Sequence, residues 1–263
     1  MKLHELFNLH DSVAIVTGGT GHLGISMSEA LAEAGAIVYI TGTDENKCKK
    51  IASELENTTN GKLFGMKMDV SSTESIAKCY NEIFQNHSTI DILVNNAFYG
   101  FSNSSGMMSE KDWLNGIDGT INSVFRTTMG VIPFMKKQNS SSIINISSIY
   151  GIVSPDPSIY GDSEYNNPPS YGVGKAAIIQ FTRYMACHFA KNGIRFNSVL
   201  PGSFPNKEVQ KNTKFIRNLE KRIPLKRIGQ PYELKGIISF LASEASSYVT
   251  GQNFIIDGGW TSW

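Results

Sequence analysis

Residues 12–41 contain a strand, a glycine-rich turn, a helix and a second strand in close succession. The segments SVAIVT (12–17) and AIVYIT (36–41) are short, apolar and rich in β-branched residues, which is typical of strands buried on both faces. Between them, GGTGHLG (18–24) leads into apolar residues spaced as on one face of a helix that ends at Gly35. Such a unit predicts parallel strands, with its turn where a nucleotide phosphate would meet a helix N-terminus. The alternative interpretation is a tight turn that needs glycine for its backbone alone.

Strands and helices continue to alternate along the rest of the chain. Helices are predicted at 45–56, after a cap at Ser72, at 109–137, from 170 onward and at 230–243, and strands at 62–70, 90–97, 141–148 and 253–257. This alternation predicts an α/β fold, a single Rossmann-type, doubly wound parallel sheet of about seven strands with helices on both faces. Because no repeat or linker interrupts the pattern, residues 1–263 are expected to form one domain.

Composition excludes several classes of protein. The 263 residues include 24 basic and 23 acidic side chains, a balance that argues against a dedicated nucleic-acid binder. Cys48, Cys79 and Cys187 lie far apart, which suits a reduced cytoplasmic protein and offers neither a disulfide framework nor a metal site. The chain has no apolar run of about 18 residues, and its first residues lack the apolar core of a signal peptide. A cytoplasmic protein without a nucleic-acid or membrane partner is therefore expected.

Tyr171 and Lys175 are spaced i, i+4 in a predicted helix, so their side chains should lie on one face. A phenol has an ordinary pKa of about 10, which is high for proton transfer near neutral pH. A nearby ammonium favours the phenolate and lowers that pKa. The pair is a candidate acid–base site, although the same spacing also fits a surface aromatic residue beside a lysine.

Polar residues stand where the predicted strands end. Ligands of open parallel sheets bind beyond the carboxyl ends of the strands. The residues that occupy these ends are Thr17, Asp69, Asn95, Ser147 and Ser148. A binding site is therefore expected along this edge of the sheet.

Taken together, these motifs resemble the short-chain dehydrogenase/reductase family over essentially the whole chain. The matching stretches are TGGTGHLG (17–24), Asp69-Val70, NNA (95–97), the Tyr171/Lys175 pair, Pro201-Gly202 and TGQNFIIDGGW (250–260). The resemblance implies a nicotinamide cofactor bound by Thr17, Gly18, Thr20, Gly21, His22, Leu23, Gly24, Thr43, Asp69, Val70, Asn96, Ala97, Tyr171, Lys175, Pro201 and Gly202.

The resemblance also implies a catalytic tetrad of Asn122, Ser148, Tyr171 and Lys175. In that family the tyrosine exchanges a proton with the substrate oxygen, and the lysine lowers its pKa and holds the nicotinamide ribose. The serine donates a hydrogen bond to the substrate oxygen, and the asparagine supports the lysine. The substrate is expected to contact Ser148, Tyr160, Tyr171 and Phe204. The alternatives are a helix-interior role for Asn122 and a strand-end cap for Ser148.

Three positions depart from the family's pattern. His22 stands at the middle glycine of the cofactor loop, where its side chain is expected to crowd a pyrophosphate unless Gly21 supplies the flexibility. Phe98 replaces the glycine of the N-N-A-G stretch, which should reshape the floor near the nicotinamide. Ser148 and Tyr171 are also farther apart along the chain than is usual.

The choice between NAD and NADP rests on the end of the second strand. NAD-binding sites usually place an acidic residue there, whereas this chain has Gly42 and Thr43, followed by Asp44. No arginine follows to hold a 2′-phosphate. Small residues leave room for that phosphate, so NADP is favoured over NAD, unless Asp44 points inward and repels it.

Residues 149–170 form an insertion between Ser148 and Tyr171. Four prolines exclude regular structure from it, and its polar side chains include Asp156, Tyr160 and the run 162–167. Because the insertion connects two candidate catalytic residues, we expect it to shape a pocket for a sugar, polyol or sugar acid. A polar surface loop or an oligomer contact is the alternative.

A second distinctive segment is basic. Residues 207–227 hold eight Lys/Arg against Glu208 and Glu220, within a stretch (about 203–227) that forms a lid over the substrate in the resembling family. Lys207, Lys211, Lys214 and Lys221 recur at helical spacing, as on one face. Such a lid either attracts an anionic substrate or is an ordinary solvated surface.

The sequence thus predicts an NAD(P)-dependent oxidoreductase that interconverts a carbonyl and a secondary alcohol on a small, sugar-like molecule. The first rival interpretation is a reductase of 3-oxoacyl thioesters carried by acyl carrier protein or coenzyme A. A catalytically silent nucleotide-binding regulator is the second, and a nucleotide-sugar epimerase or dehydratase is the third. The resemblance further implies a homo-oligomer, a tetramer or a dimer, with the aromatic C-terminus at subunit contacts.

Overall fold

The structure, a computed structural model, describes residues 1–59, 61–100, 107–136, 140–161 and 166–263. Its centre is a parallel sheet, in which the strands are β1 (Val13–Thr17), β2 (Ile37–Gly42), β3 (Lys62–Lys67), β4 (Ile92–Asn95), β5 (Ser141–Ile146), β6 (Ile194–Pro201) and β7 (Asn253–Ile256). They pair in the order β3–β2–β1–β4–β5–β6–β7. The predicted fold class and strand number are confirmed. The strand order reverses between β1 and β4, which is the point where such sheets bind ligands.

Helices cover both faces of the sheet. They are α1 (Leu3–Leu6), α2 (His22–Glu33), α3 (Glu45–Thr59), α4 (Thr73–His87), α5 (Glu110–Ile117), α6 (Ser123–Met135), α7 (Pro169–Phe189), α8 (Lys207–Gln210), α9 (Thr213–Arg222) and α10 (Lys235–Ala242). Val16 of β1 packs in one buried cluster with α2, α3 and α10, and the adjacent Ile15 packs in another with α4, α6 and α7. The central strands β1, β2 and β4 are largely apolar because both of their faces are buried.

The helix predicted at 109–137 is interrupted. Ser109 caps α5, and a wider turn with π-helical geometry, Asp118–Asn122, separates α5 from α6. At Gly119 this turn lies so close to the Tyr99 backbone that a β-carbon would collide with the Tyr99 carbonyl. The last predicted residue of this helix, Lys137, lies outside the described residues.

The third strand is shorter than predicted. Its last partner in β2 is Gly42, which faces Lys67, and one further hydrogen bond runs from the Met68 N–H to the Gly42 carbonyl (2.8 Å). The ladder stops there because β2 itself ends at Gly42. Asp69 and Val70 therefore lie in the loop beyond the strand, at the carboxyl edge of the sheet. Among the described helices, none has both the length and the apolarity that crossing a bilayer requires.

Candidate active site at the carboxyl edge of the sheet

A cleft of about 1160 Å³ lies beyond the carboxyl ends of the strands. On one side it is lined by the loop after β1 and by the residues that follow β2, β3 and β4. The insertion and the segment after β6 line its other side. The cleft therefore collects the glycine loop and the two distinctive segments of the sequence in one place. Of the five residues expected at the strand ends only Asp69 lines it, because the other four, Thr17, Asn95, Ser147 and Ser148, are buried.

Thr17 ties the glycine loop to the end of β4. Its hydroxyl accepts hydrogen bonds from the backbone N–H groups of Asn96 (2.9 Å) and Ala97 (3.0 Å), and it is almost fully buried. The Asn96 amide donates to the carbonyls of Thr17 and Gly18, at 3.0 Å each. Asn96 and Ala97 line the cleft, whereas Thr17 is not among the residues that line it. Thr17 thus holds the glycine loop against the end of β4 by hydrogen bonds, without lining the cleft itself.

The glycine loop has the geometry that a dinucleotide needs. Gly18 has a positive φ of 60°, and a β-carbon there would lie 2.9 Å from the Ala97 Cα. A β-carbon at Gly24 would collide with the Gly18 carbonyl, so helix α2 packs directly on the loop. The α2 N-cap, Gly21, provides no side-chain cap, and the first N–H groups of the helix suit a pyrophosphate. Together with Thr20 and Leu23, which line the cleft, these residues fit a nicotinamide dinucleotide.

His22 is the first residue of α2, and it also lines the cleft. Its Nε2 atom is buried and has no hydrogen-bond partner in the described residues. Burial lowers the pKa of His22 and the charge of Lys207 lowers it further, while the Pro205 backbone opposes both effects. The imidazole is therefore close to the segment that follows β6, and Gly21 keeps an ordinary extended backbone (φ −80°).

The residues after β2 and β3 form the far end of the cleft. Gly42, Thr43, Asp69 and Val70 line it. Hydrogen bonds from the Ser71 hydroxyl (2.7 Å) and backbone N–H (2.9 Å) lower the pKa of Asp69. Asp44 is not among the lining residues, because its carboxylate accepts a hydrogen bond from the Lys47 N–H (3.0 Å) at the start of α3.

Ser148, Tyr171 and Lys175 meet beside the cleft. Tyr171 is hydrogen-bonded to Ser148, which follows β5. Tyr171 and Lys175 occupy successive turns of α7, and the lysine Nζ lies 5.5 Å from the tyrosine ring centroid. The buried Nζ donates to the Ile146 carbonyl (2.8 Å), and the Ser147 hydroxyl donates to the Lys175 carbonyl (2.7 Å). Ile146, at the end of β5, and Ser147 just after it thus hold both the side chain and the backbone of Lys175.

Burial controls the protonation of this cluster. It raises the pKa of Tyr171, an effect that the Ser148 hydrogen bond opposes and the nearby Tyr160 reinforces. It also lowers the pKa of Lys175 to about 8. The expected lowering of the Tyr171 pKa by Lys175 is not seen, because burial has the largest effect on this pKa and the group that opposes it is Ser148.

Asn122 does not join the other three residues, which corrects the sequence-based assignment. Its side chain is exposed and donates to the Asp118 carboxylate (3.0 Å). Thr120, two residues earlier, is buried instead, and a β-carbon at Gly174 would collide with its hydroxyl. Because Gly174 directly precedes Lys175, Thr120 is the residue of this turn that lies against α7 beside Lys175.

Phe98 forms the wall next to Tyr171. Its ring lies edge-on to the Tyr171 ring at 5.8 Å, and the Lys175 Nζ lies 5.6 Å from its centroid. In the sequence, Phe98 is notable only because it replaces the glycine of the family's motif. Tyr150, which also lines the cleft, was not singled out, and no local pattern distinguishes it.

The insertion lines the mouth of the cleft, as predicted. Tyr160, Asn166 and Asn167 face the cleft, and the Asn167 amide donates to the Tyr160 hydroxyl (2.6 Å). The polar residues at 162–165 lie outside the described residues. On the opposite side, Gly202 and Phe204 line the cleft, whereas Pro201 is buried as the last residue of β6 and is not among the lining residues.

The basic segment does not form one charged face. Lys207 lies in α8 and Lys214 lies in α9. Asn212 lies between the two helices and is the N-cap of α9. The residues of this segment that line the cleft are Glu208, Val209, Asn212, Phe215 and Leu219, none of them basic. The prediction of a single lysine face is therefore wrong, because the chain breaks between the two helices.

Comparisons with known proteins identify relatives that match almost the whole chain. A family model described as enoyl-(acyl carrier protein) reductase matches residues 21–261. The 3-oxoacyl-[acyl-carrier-protein] reductase of Aquifex aeolicus is 34% identical over 252 residues, which cover 95% of this chain and 98% of the relative.

Solved structures have the same fold over the whole chain. A short-chain type dehydrogenase/reductase from Mycobacterium marinum superposes with a TM-score of 0.88 at 30% identity, covering 99% of each chain. A gluconate 5-dehydrogenase from Burkholderia cenocepacia, solved with NADP and tartrate, gives 0.89 at 28% identity and covers 100% of each chain. The chain therefore belongs to the short-chain dehydrogenase/reductase family, as an NAD(P)-dependent oxidoreductase of CH–OH and C=O groups.

Proposed function

We propose that the chain interconverts a ketone and a secondary alcohol with Tyr171 as the group that exchanges a proton with the substrate oxygen. The observation that carries this proposal is the buried cluster in which Tyr171 is hydrogen-bonded to Ser148, with Lys175 one turn away. Because the pKa of Tyr171 is raised, the phenol is protonated at neutral pH and is ready to donate in the reductive direction.

Ser148 and Lys175 have supporting roles in this scheme. The Ser148 hydroxyl stabilises the charge that develops on the substrate oxygen when the carbonyl is attacked. With a pKa of about 8, Lys175 is mostly protonated at neutral pH, and it holds the ribose and favours the phenolate after proton transfer. Asn122 has no part in the scheme, since its side chain is exposed and bonded to Asp118.

The cofactor in this proposal is NADP(H). The loop 18–24, Asp69, Val70, Asn96 and Ala97 would hold it, and its nicotinamide supplies or accepts the hydride when bound. NADP is favoured over NAD because Gly42 and Thr43 line the cleft while the Asp44 carboxylate is bonded to the start of α3. That arrangement leaves space for a 2′-phosphate without facing it with a carboxylate.

A hydroxyl-rich substrate such as a sugar acid fits the mouth of the cleft best. The insertion contributes a phenol and two amides there, at Tyr160, Asn166 and Asn167. Such groups pair with substrate hydroxyls and reject molecules that leave them unpaired. The similarity to a gluconate 5-dehydrogenase supports this class of substrate.

A 3-oxoacyl thioester is the second candidate. Val209, Phe215 and Leu219 provide an apolar strip along the cleft that would suit an acyl chain. The similarity to a 3-oxoacyl-[acyl-carrier-protein] reductase supports this candidate.

The two substrates can be compared directly. The purified protein is assayed for NADPH oxidation with 5-keto-D-gluconate and with acetoacetyl-N-acetylcysteamine, with the Tyr171→Phe variant as the control. We expect the higher kcat/KM with the ketogluconate. Faster turnover of the thioester would replace the sugar-acid proposal by the second candidate, and turnover of neither would remove both substrate classes.

We also propose that the protein works as a homo-oligomer, a dimer or tetramer, in the cytoplasm. Phe125 and Met129 are 50% and 42% exposed on one face of α6. Phe125 also lies 6.2 Å from Phe181 of α7, so the two helices present a joint apolar surface. Exposed apolar surface of this kind is typical of subunit contacts. Light scattering should give a mass of at least twice 28.9 kDa, and a monomer at micromolar concentration would contradict the proposal.

A further inference from the structure

The insertion is attached to α9 rather than only to the strand and helix that it connects. Ile159 packs in a buried apolar cluster with Leu219 of α9 and Ile223 just after it. The Asn218 amide donates to the Ile159 carbonyl (3.1 Å). The short helical turn Pro157–Tyr160 therefore rests on α9 through both side-chain packing and a hydrogen bond.

The same turn carries Tyr160 into the cleft. Its ring stacks on Phe215 of α9, with centroids 5.5 Å apart and planes at 28°. Its hydroxyl accepts a hydrogen bond from Asn167 and is hydrogen-bonded to Tyr150. Tyr160 is also close enough to Tyr171 to raise the pKa of that phenol. The ring of Tyr160 is thus held by α9, while its hydroxyl is hydrogen-bonded to Asn167 and Tyr150, which both line the cleft.

An ion pair connects the start of this turn to the end of α9. Arg222 pairs with Asp156, and its guanidinium also reaches the Ser158 hydroxyl (3.4 Å). Asp156 is the N-cap of the turn, since its carboxylate accepts from the Ser158 N–H (2.9 Å). Arg222 therefore fixes the residue from which the turn to Tyr160 begins.

We propose that Tyr160 is a specificity-determining residue and that Arg222 is its positioning residue. The Tyr160 hydroxyl binds a substrate hydroxyl beside the reacting carbon, and α9 sets the place of that hydroxyl through the Asp156–Arg222 pair. The inference rests on the proposed function, because it assigns the substrate contact to the same cleft. It adds that substrate selection depends on a residue on the outer end of α9 that does not itself line the cleft.

The test is a kinetic double-mutant cycle on the full chain with NADPH and 5-keto-D-gluconate. Tyr160→Phe keeps the stack on Phe215 and removes only the hydroxyl, so we expect KM to rise about tenfold with kcat within about twofold. Arg222→Met should raise KM about threefold to fivefold, as for the loss of one part-exposed ion pair. Arg222→Lys keeps a positive charge, so its KM should stay close to that of the wild type. In the Tyr160→Phe background, Arg222→Met should have almost no further effect, because both changes act on one contact.

Arg227→Met is the matched control. Arg227 belongs to the same basic segment and pairs with Glu233 (2.7 Å), away from the insertion, so its loss should leave KM unchanged. The Kd for NADPH, measured by nicotinamide fluorescence, should stay within about twofold in every variant. Amide hydrogen exchange of residues 158–160 should accelerate in Arg222→Met and remain as in the wild type in Arg227→Met.

Two results would overturn the inference. One is an Arg222→Met variant with the KM of the wild type, and the other is an effect of the same size with and without the Tyr160 hydroxyl. If the wild type reduces acetoacetyl-N-acetylcysteamine but not the ketogluconate, the sugar-acid proposal fails. Because the thioester has no hydroxyl beside its ketone, the contact of Tyr160 with substrate then fails as well. The positioning role of Arg222 is judged in that case by hydrogen exchange at residues 158–160, where an unchanged rate in Arg222→Met would count against it.

Discussion

Lys175 has its ammonium group in a buried environment that disfavours the charged form. Its side chain is buried, its ammonium donates to the Ile146 carbonyl, and burial lowers its pKa from 10.5 to about 8. A lowering of that size corresponds to about 3 kcal/mol of destabilisation of the charged form. A buried charge of this kind is expected where function rather than stability selects the residue.

Replacing this lysine by methionine should therefore stabilise the fold at neutral pH. Below pH 8 the lysine is protonated in both the folded and the unfolded chain, so its burial cost is fully present. Between about pH 8 and 10.5 only the unfolded chain holds the proton, so wild-type stability rises with pH relative to the variant. We expect Lys175→Met to gain about 1–3 kcal/mol in urea unfolding at pH 7, and less at pH 9.5. A variant that is less stable than the wild type at pH 7 would contradict this account.

Asn122 and Ser148 should behave differently when their side chains are truncated. Asn122 is exposed and contacts Asp118, so Asn122→Ala should change kcat/KM by less than about twofold. Ser148 is bonded to Tyr171, so Ser148→Ala should lower kcat by about a hundredfold through loss of oxyanion stabilisation. A loss above tenfold for Asn122→Ala would return Asn122 to the catalytic group.

At the scale of elements, α7 depends on a close helix contact at Gly174, between Tyr171 and Lys175. A β-carbon there would collide with the Thr120 side chain, so Gly174→Ala should cost about 1–3 kcal/mol and lower activity by shifting α7. Gly236 of α10 is the matched control, because a β-carbon there meets nothing within 4 Å. Gly236→Ala should gain about 0.5–1 kcal/mol from helix propensity, as measured by thermal unfolding. Equal effects of the two alanines would show that this packing is not tight.

The π-helical turn at Asp118–Asn122 explains why the Asn122 side chain lies away from Ser148, Tyr171 and Lys175. A continuous α-helix over 109–137 was expected, and an asparagine within it matched the family's pattern. The wider turn changes which side chains face α7, so that Thr120 is buried and Asn122 is exposed. Such a turn is set by packing on the Tyr99 backbone, which no local pattern shows.

At the scale of the whole molecule, the sheet and the position of the insertion at the cleft were predictable, whereas the packing of the insertion on α9 was not. Apolar strands, helical spacing and glycine turns are local signals, so they indicated the strand number and the edge that carries the site. The contact between Asp156 and Arg222 joins residues 66 positions apart, and nothing in either segment points to the other. The same holds for the stack of Tyr160 on Phe215. Long-range contacts of this kind decide how the insertion and α9 lie, and the sequence carries no periodic pattern for them.

The most direct test is a comparison of the wild type and Tyr171→Phe in NADPH binding and in ketone reduction. The variant should bind NADPH with a Kd within about threefold of the wild type, because the glycine loop and Lys175 remain. Its turnover of whichever ketone the wild type reduces should fall by at least a hundredfold, since the proton donor is lost. A Tyr171→Phe variant that keeps turnover within tenfold of the wild type would contradict the account of this active site.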